Sequence, residues 1–473
     1  MRDIPRWAGA VALLVTLPAC KTFEPRPLLE RQLLEELQSI RLESLKLEGE
    51  EGARSGAVSS EFHPAAGIAR EEAVAIALFL NPGLRSFRKE RGIAEGEIVA
   101  AGLLPNPELQ VTWLYIEHFT HSLATSGFDV ALNWAPPRPG ERGAKIARAQ
   151  AHLDAVRAEI AGAEWRLCAE VRSAYAAVRT GEERLAIAET SLKLEDRIRD
   201  FVRERARLGD ANRMDLNLAE IARSEVARER EAVANELEKA RRELNRLLGL
   251  PPDHEFKLRD TADLTYRPLY IEGGALETTM LERRPELLTA RKRYEECEEA
   301  LRLSYIERWP WFRFGPAYAR DEIDGQAGNR FGLGLGIDLP LANLNQGEIA
   351  IREAERERLR TAFTAALHQG RAEVAEAYRD VKAEERLIRL YEETTRPALE
   401  ESVHLAEAGI ESREFNLLQV ITTQEKVLRA RRDNIDALLR YWKAAFELER
   451  ALGTSIPGVT GPSDDTSRKD SSR

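Results

Sequence analysis

The chain is written twice, which restricts it to a duplicated architecture. Asn81-Pro82-Gly83-Leu84 returns 203 residues later as Arg284-Pro285-Glu286-Leu287, Arg88-Lys89 as Arg291-Lys292, Pro107 as Pro310, Pro137 as Pro340, Ile146-Ala147 as Ile349-Ala350 and Ala174-Tyr175 as Ala377-Tyr378. The shift then drifts. Glu182-Glu183-Arg184-Leu185 pairs with Glu384-Glu385-Arg386-Leu387, Gly209 with Gly409, and Leu248-Gly249 with Leu452-Gly453. These marks divide the chain into a leader (1–19), an N-terminal segment and linker (20–66), a first repeat (67–250), a linker (251–273), a second repeat (274–454) and a polar tail (455–473) predicted to be disordered. The charged amphipathic stretch 28–51 is expected to pack along the shaft that the repeats build.

Each copy reads as a helix, two short strands, a very long helix, a glycine break and a return helix. In the first copy Ile146, Leu153, Ile160 and Leu167, then Val171, Val178, Leu185 and Leu192, recur at seven-residue steps between Glu141 and Leu208. The return helix carries Ala219, Val226, Val233, Ala240 and Leu247. The second copy repeats the pattern with Val374, Val381 and Ile388, then Ile421, Leu428, Ile435 and Trp442. These are coiled-coil seams. A helix over this long span reaches roughly 100 Å, well beyond a compact domain, so it is a strut or a tube wall. A pore-less periplasmic coiled-coil scaffold accounts for the heptads equally well.

Between Pro107 and Pro137 the period changes to two. Leu109, Val111, Trp113 and Tyr115 share one side, as do Phe128, Val130, Leu132 and Trp134. The second copy alternates likewise, with Phe312, Phe314 and Tyr318, then Phe331, Leu333, Leu335 and Ile337, opposite Gly332, Gly334, Gly336 and Asp338. One aromatic-aliphatic face and one small or polar face suits a barrel wall, with lipid outside and water inside. Val111, Trp113, Val130, Trp134, Phe312, Phe314, Leu333 and Leu335 are therefore expected to face lipid. Trp113, Trp134, Trp309 and Trp311, four of the seven Trp, lie in or beside these runs, as interfacial girdles require. Four strands cannot close a barrel, so the chain is expected to oligomerise.

The N-terminus carries Arg2 and Arg6, an apolar run from Trp7 to Ala19, then Cys20, the order of a bacterial signal peptide. Leu17-Pro18-Ala19-Cys20 resembles a lipobox, which makes Cys20 the lipidation site; an ordinary secretory signal is the alternative. The 70 Lys+Arg and 80 Asp+Glu are interleaved, which leaves no basic face for nucleic acid. Cys168 and Cys297 sit inside helical patterns and read as free buried thiols. Gly332-Leu333-Gly334-Leu335-Gly336 lies within an alternating strand with no helix start after it, so it is no dinucleotide loop. Glu117, His118 and His121 cluster between two strands, where a solvated loop is the expectation and no metal is assigned. Nothing in the chain has the spacing of a catalytic or cofactor site, so no enzyme activity and no cofactor beyond a covalent lipid is predicted.

The duplicated order of Asn81-Pro82, Leu104-Pro105-Asn106-Pro107, twin hairpins and two helical breaks, over Ile68 to Gly453, resembles the TolC-type outer-membrane efflux proteins, including the lipid-anchored members that serve resistance-nodulation-division pumps. The resemblance implies a mainly α fold with a transmembrane β-barrel portion: a homotrimer whose strands form one barrel and whose helices continue it as a periplasmic tunnel. It implies a passive exit duct in the outer membrane, working with a periplasmic adaptor and an inner-membrane pump; type I protein export remains an alternative cargo route. It places the gate where the hairpins turn, near Gly209 and Gly409. In the family pattern an Asp six residues after the first glycine pairs with an Arg two residues after the second. Asp215 matches the first position but Glu411 occupies the second, and the nearest bases are Arg213 and Arg413. Asp215 is therefore expected to pair with Arg413 or with an Arg of a neighbouring hairpin. Asn416 and Gln419 stand where some relatives carry an acidic ring, so they are expected to line the constriction with weaker cation selectivity.

Overall fold

The computed structural model describes residues 23–42, 67–116, 125–209, 211–259, 265–269, 273–323, 326–411, 417–457 and 459. It forms two compact units that divide after Ser44. The first holds α1 (Glu30–Ser39), whose leucines Leu33, Leu34 and Leu37 are exposed within that unit. Cys20, Glu117, His118 and His121 lie outside the described residues.

The second unit carries both repeats. The first copy runs α2 (Arg70–Leu80), α3 (Pro82–Gly102), β1 (Glu108–Ile116), β2 (Thr125–Asn133), α4 (Glu141–Leu208) and α5 (Arg213–Leu248). The second runs α6 (Leu276–Arg283), α7 (Pro285–Ile306), β3 (Trp311–Ile323), β4 (Gln326–Asp338), α8 (Gln346–Leu390), a π-turn (Tyr391–Thr395), α9 (Arg396–Glu411) and α10 (Leu417–Leu452). The 68-residue α4 packs against α3, α5, α7 and α10. Its seam residues Leu153, Ile160, Leu167, Val171 and Val178 are buried, as are Val374, Val381 and Ile388 of α8.

The motifs that reveal the duplication build one joint, made twice. Asn81 caps α3 through its side chain, accepting from the Leu84 amide at 3.0 Å, and its amide nitrogen donates to the Leu247 carbonyl at the end of α5. Arg284, the matching residue, donates to the Ala451 carbonyl at the end of α10. Gly249 and Gly453 end those helices with φ of 76° and 75°. A Cβ on Gly249 would stand 2.8 Å from the Leu80 carbonyl oxygen, and one on Gly453 would strike the Arg283 carbonyl. Glycine is needed there for conformation and for close approach alike.

The true drift comes down to one inserted residue in the second hairpin. The seam residues Leu185 and Ile388 keep the 203-residue shift, so the Glu-Glu-Arg-Leu match at 202 is accidental. After the π-turn, Arg213 and Leu417 begin the return helices, and Leu248 and Leu452 end them, at a shift of 204. A π-turn accommodates one extra residue, which is the whole difference. By that register Gly209 corresponds to Arg413 and not to Gly409. The second break is thereby corrected: α9 continues through Gly409 to Glu411, and residues 412–416 lie outside the described set.

A core cluster gathers Trp442, Tyr441 and Phe446 of α10 with Val374, Val381 and Ile388 of α8, Met280 of α6, and Leu269, Ile456 and Val459 of the irregular segments.

Candidate channel wall and helical tip

The strands form one antiparallel sheet in the order β1-β2-β3-β4. Its register decides whether the apolar residues of separate strands share a face. Leu109 pairs with Leu132, Val111 with Val130 and Trp113 with Phe128 across β1 and β2; Val130 pairs with Tyr318 across β2 and β3. Phe312 pairs with Ile337, Phe314 with Leu335, Pro316 with Leu333 and Tyr318 with Phe331 across β3 and β4. All four apolar rows therefore fall on one side. Aromatic pairs tie neighbouring strands there: Trp113 with Phe128, Trp134 with Phe314 and Tyr318 with Phe331, at centroid separations of 5.7, 5.6 and 5.1 Å.

In this chain that face is bare. Trp113 is 72 % exposed, Phe331 83 %, Leu333 88 % and Leu335 70 %, an apolar patch of the kind that marks a lipid or protein interface. The other face carries Gly332, Gly334 and Gly336 with polar contacts between Asn133 and Gln110 and between Arg313 and Asp338. Among the described residues no helix is long and apolar enough to cross a membrane.

Close packing also enters at one point of the sheet. Pro316 has no N–H to donate, and the β2–β3 ladder lapses between the Ala131–Ala317 pair and the Trp134–Phe314 bridge. There the backbone of β2 closes on Gly315 until a Cβ would overlap the Leu132 carbonyl oxygen.

The tryptophans at the sheet's helical end do more than line an interface. The Trp134 indole donates to the Pro105 carbonyl and the Trp311 indole to the Pro136 carbonyl, each at 3.0 Å. Arg138 donates to the Trp309 carbonyl at 2.7 Å and lies over the Trp311 ring. These bonds fix the proline elbows that turn strand into helix. Trp311 also pairs with Asp338, in the polar row, so it is not a member of the apolar face.

At the opposite end of the helices, Gly209 adopts φ 83° and closes α4, with open space around it. Asn212 then caps α5 reciprocally with Asp215: the Asp215 amide donates to the Asn212 side chain, and the Asp215 carboxylate accepts the Asn212 amide, each at 2.9 Å. The expected gate partner is therefore a helix cap first, its charge also suited to the positive end of α5. Arg213 lies two positions earlier on the same first turn, a spacing at which helical side chains do not meet. Arg413 and Asn416 lie outside the described residues; Glu411 ends α9 and Gln419 lies in the first turn of α10. Higher up, Glu195 of α4 is buried and faces Glu425 of α10; burial, then the like charge of Glu425, pushes its carboxyl up. Sequence offered no signal for that pair, because it joins helices from different repeats.

A sheet with one bare apolar face, standing on a shaft of helices far longer than a globular domain, defines an outer-membrane channel subunit. Residues 277–454 match the family model described as outer membrane efflux protein. The chain is 24 % identical over 386 residues, 81 % of its length and 89 % of the relative's, to the cobalt-zinc-cadmium resistance protein CzcC of Cupriavidus metallidurans. Its fold matches a membrane protein from Pseudomonas aeruginosa (TM-score 0.67, 20 % identity, 81 % of this chain and 92 % of that one). It also matches the MtrE outer membrane channel of Neisseria gonorrhoeae solved in its open state (TM-score 0.65, 17 % identity, 85 % and 94 %). The second repeat matches that family, and the chain as a whole has the fold of these solved channels.

Proposed function

We propose that this protein is the lipid-anchored outer-membrane duct of a tripartite efflux system, a homotrimer that receives its cargo from a periplasmic adaptor and an inner-membrane pump. The observation that carries the reading is the register of the sheet, which gathers four apolar rows on one face and leaves β1 and β4 each paired on one side only. Unpaired strand edges are not tolerated in lipid, so three such sheets closing edge to edge into a 12-stranded barrel would leave no open edge. The duct is passive and needs no cofactor; the acyl chains on Cys20 hold it to outer-membrane lipid.

Likeness to a resistance protein named for cobalt, zinc and cadmium favours divalent transition-metal ions as cargo. In the test, detergent-extracted protein runs as a trimer and conducts ions in planar bilayers, palmitate labels wild type and not Cys20→Ala, and deletion of the gene sensitises cells to zinc or cobalt. A water-soluble monomer without conductance refutes the channel; conductance with unchanged metal tolerance refutes the cargo alone.

A further inference from the structure

The segment after α10 folds back onto the first repeat, and its fastenings centre on one buried carboxylate. Gly453 ends the helix with its amide donating to the Glu449 carbonyl. The chain then turns so that the Ile456 amide donates to the Glu449 carboxylate at 2.7 Å. A further turn closes through the Val459 amide to the Ile456 carbonyl, and the Val459 carbonyl accepts from Arg70 of α2. Arg70 lies over the rings of Trp442 and Phe446 on α10. Ile456 and Val459 are buried, and Glu449 is 1 % exposed.

We propose that residues 453–457 and 459 form a clasp tying the second repeat's return helix to α2 of the first repeat, and that proton uptake by Glu449 closes it. The groups facing Glu449 are Arg172 from α4, at 3.3 Å, Glu71 and Arg70 from α2, and the Ile456 amide from the clasp itself. Arg172 does not depend on Glu449 alone, because it also binds Glu71 at 2.9 Å. Burial alone would raise Glu71, but the hydrogen bonds and charges of Arg172 and Arg70 hold it below the usual range, so it stays ionised and satisfies Arg172.

Closing the clasp takes Glu449 out of water. Burial pushes its carboxyl from the usual 4.5 up to about 7, against the pull of Arg172 and of the Ile456 amide, while Glu71 adds to the rise. The closed form thus keeps a proton that an open, hydrated carboxyl has released. Stabilisation of the closed form by this proton is complete below pH 4.5 and is lost as pH rises through about 7. Between those limits the closing equilibrium changes by up to roughly 300-fold.

Hydrogen exchange of the full-length protein in detergent, corrected for the intrinsic pH dependence of amide exchange, reads the clasp directly at Ile456. Protection is expected to fall at least tenfold from pH 5.5 to 8.5 in wild type. Glu449→Gln, a neutral isostere, should hold the acid level across the range. Arg70→Met should lower protection at every pH while a fall toward high pH remains. A flat wild-type profile, or a slope that survives in Glu449→Gln, overturns the proposal. The wild-type profile suffices should the Gln variant fail to fold.

Discussion

Leu333→Arg and Gly332→Arg, one residue apart, separate a lipid-facing wall from a sheet that meets water on both sides. Leu333 lies within the row Phe331–Leu333–Leu335–Ile337 and is 88 % exposed. The row spans seven residues, or about 20 Å along the strand, so Leu333 sits well inside the apolar band that a barrel of this kind presents. Gly332 points the other way, and a Cβ placed on it meets nothing within 4 Å.

In water an Arg at an exposed position costs at most about 0.5 kcal/mol, and the two variants behave alike. In lipid, Arg near the midplane costs about 2–4 kcal/mol on the outer face, which is roughly 30- to 700-fold in the insertion equilibrium. The assay is refolding from urea into phospholipid vesicles, followed by tryptophan fluorescence and by the yield of protease-resistant protein. Leu333→Arg should lose insertion by that factor, and Gly332→Arg should insert like wild type. Equal insertion of the two variants would refute the assignment of faces. A loss confined to Gly332→Arg would invert it.

Gly315→Ala forces a methyl into the Leu132 carbonyl and should prevent the β2–β3 pairing, seen as loss of the folded β signal in circular dichroism while the helical signal persists. Asn81→Ala removes both a helix cap and the bond to the Leu247 carbonyl and should cost about 1–2 kcal/mol, measured as a lower urea midpoint. Asp215→Ala should cost about 1 kcal/mol by opening the α5 cap, visible as faster amide exchange in residues 212–216; if it raises single-channel conductance without that fraying, the residue belongs to the gate and not to the cap. The raised carboxyl of Glu195 beside Glu425 destabilises the ionised form, a contribution present at acid pH and lost as pH rises through the raised value. Glu195→Gln should therefore be more stable than wild type at pH 8, with the difference shrinking toward pH 4; a constant difference would show that Glu195 carries no linked proton.

The sequence by itself determined the parts governed by a short period or a local cap. The heptads of α4 and α8, the alternation of all four strands, the Asn-Pro and Leu-Gly helix ends and the αL turn at Gly209 depend on neighbours within a turn or a strand. The alternation within each strand is local too, but the register that gathers the four apolar rows on one face is set by the pairing of strands far apart in the chain. What the tertiary structure decided involves partners far apart in the chain. The π-turn at Tyr391–Thr395 adds one residue to the second hairpin, and the two glycines at 209 and 409 look equivalent in sequence although the first ends α4 and α9 runs on past the second. Trp311 reads as one more girdle residue until its pairing with Asp338 puts it on the polar row. Asp215 reads in sequence as half of a gate, and only the structure shows that its carboxylate also accepts the Asn212 amide. The Asn81–Leu247 and Arg284–Ala451 joints and the Glu449 clasp unite residues up to hundreds of positions apart, and no periodicity records them. Local backbone chemistry leaves a trace in sequence; the closing of one repeat on the other is set by packing, which only the folded chain brings about.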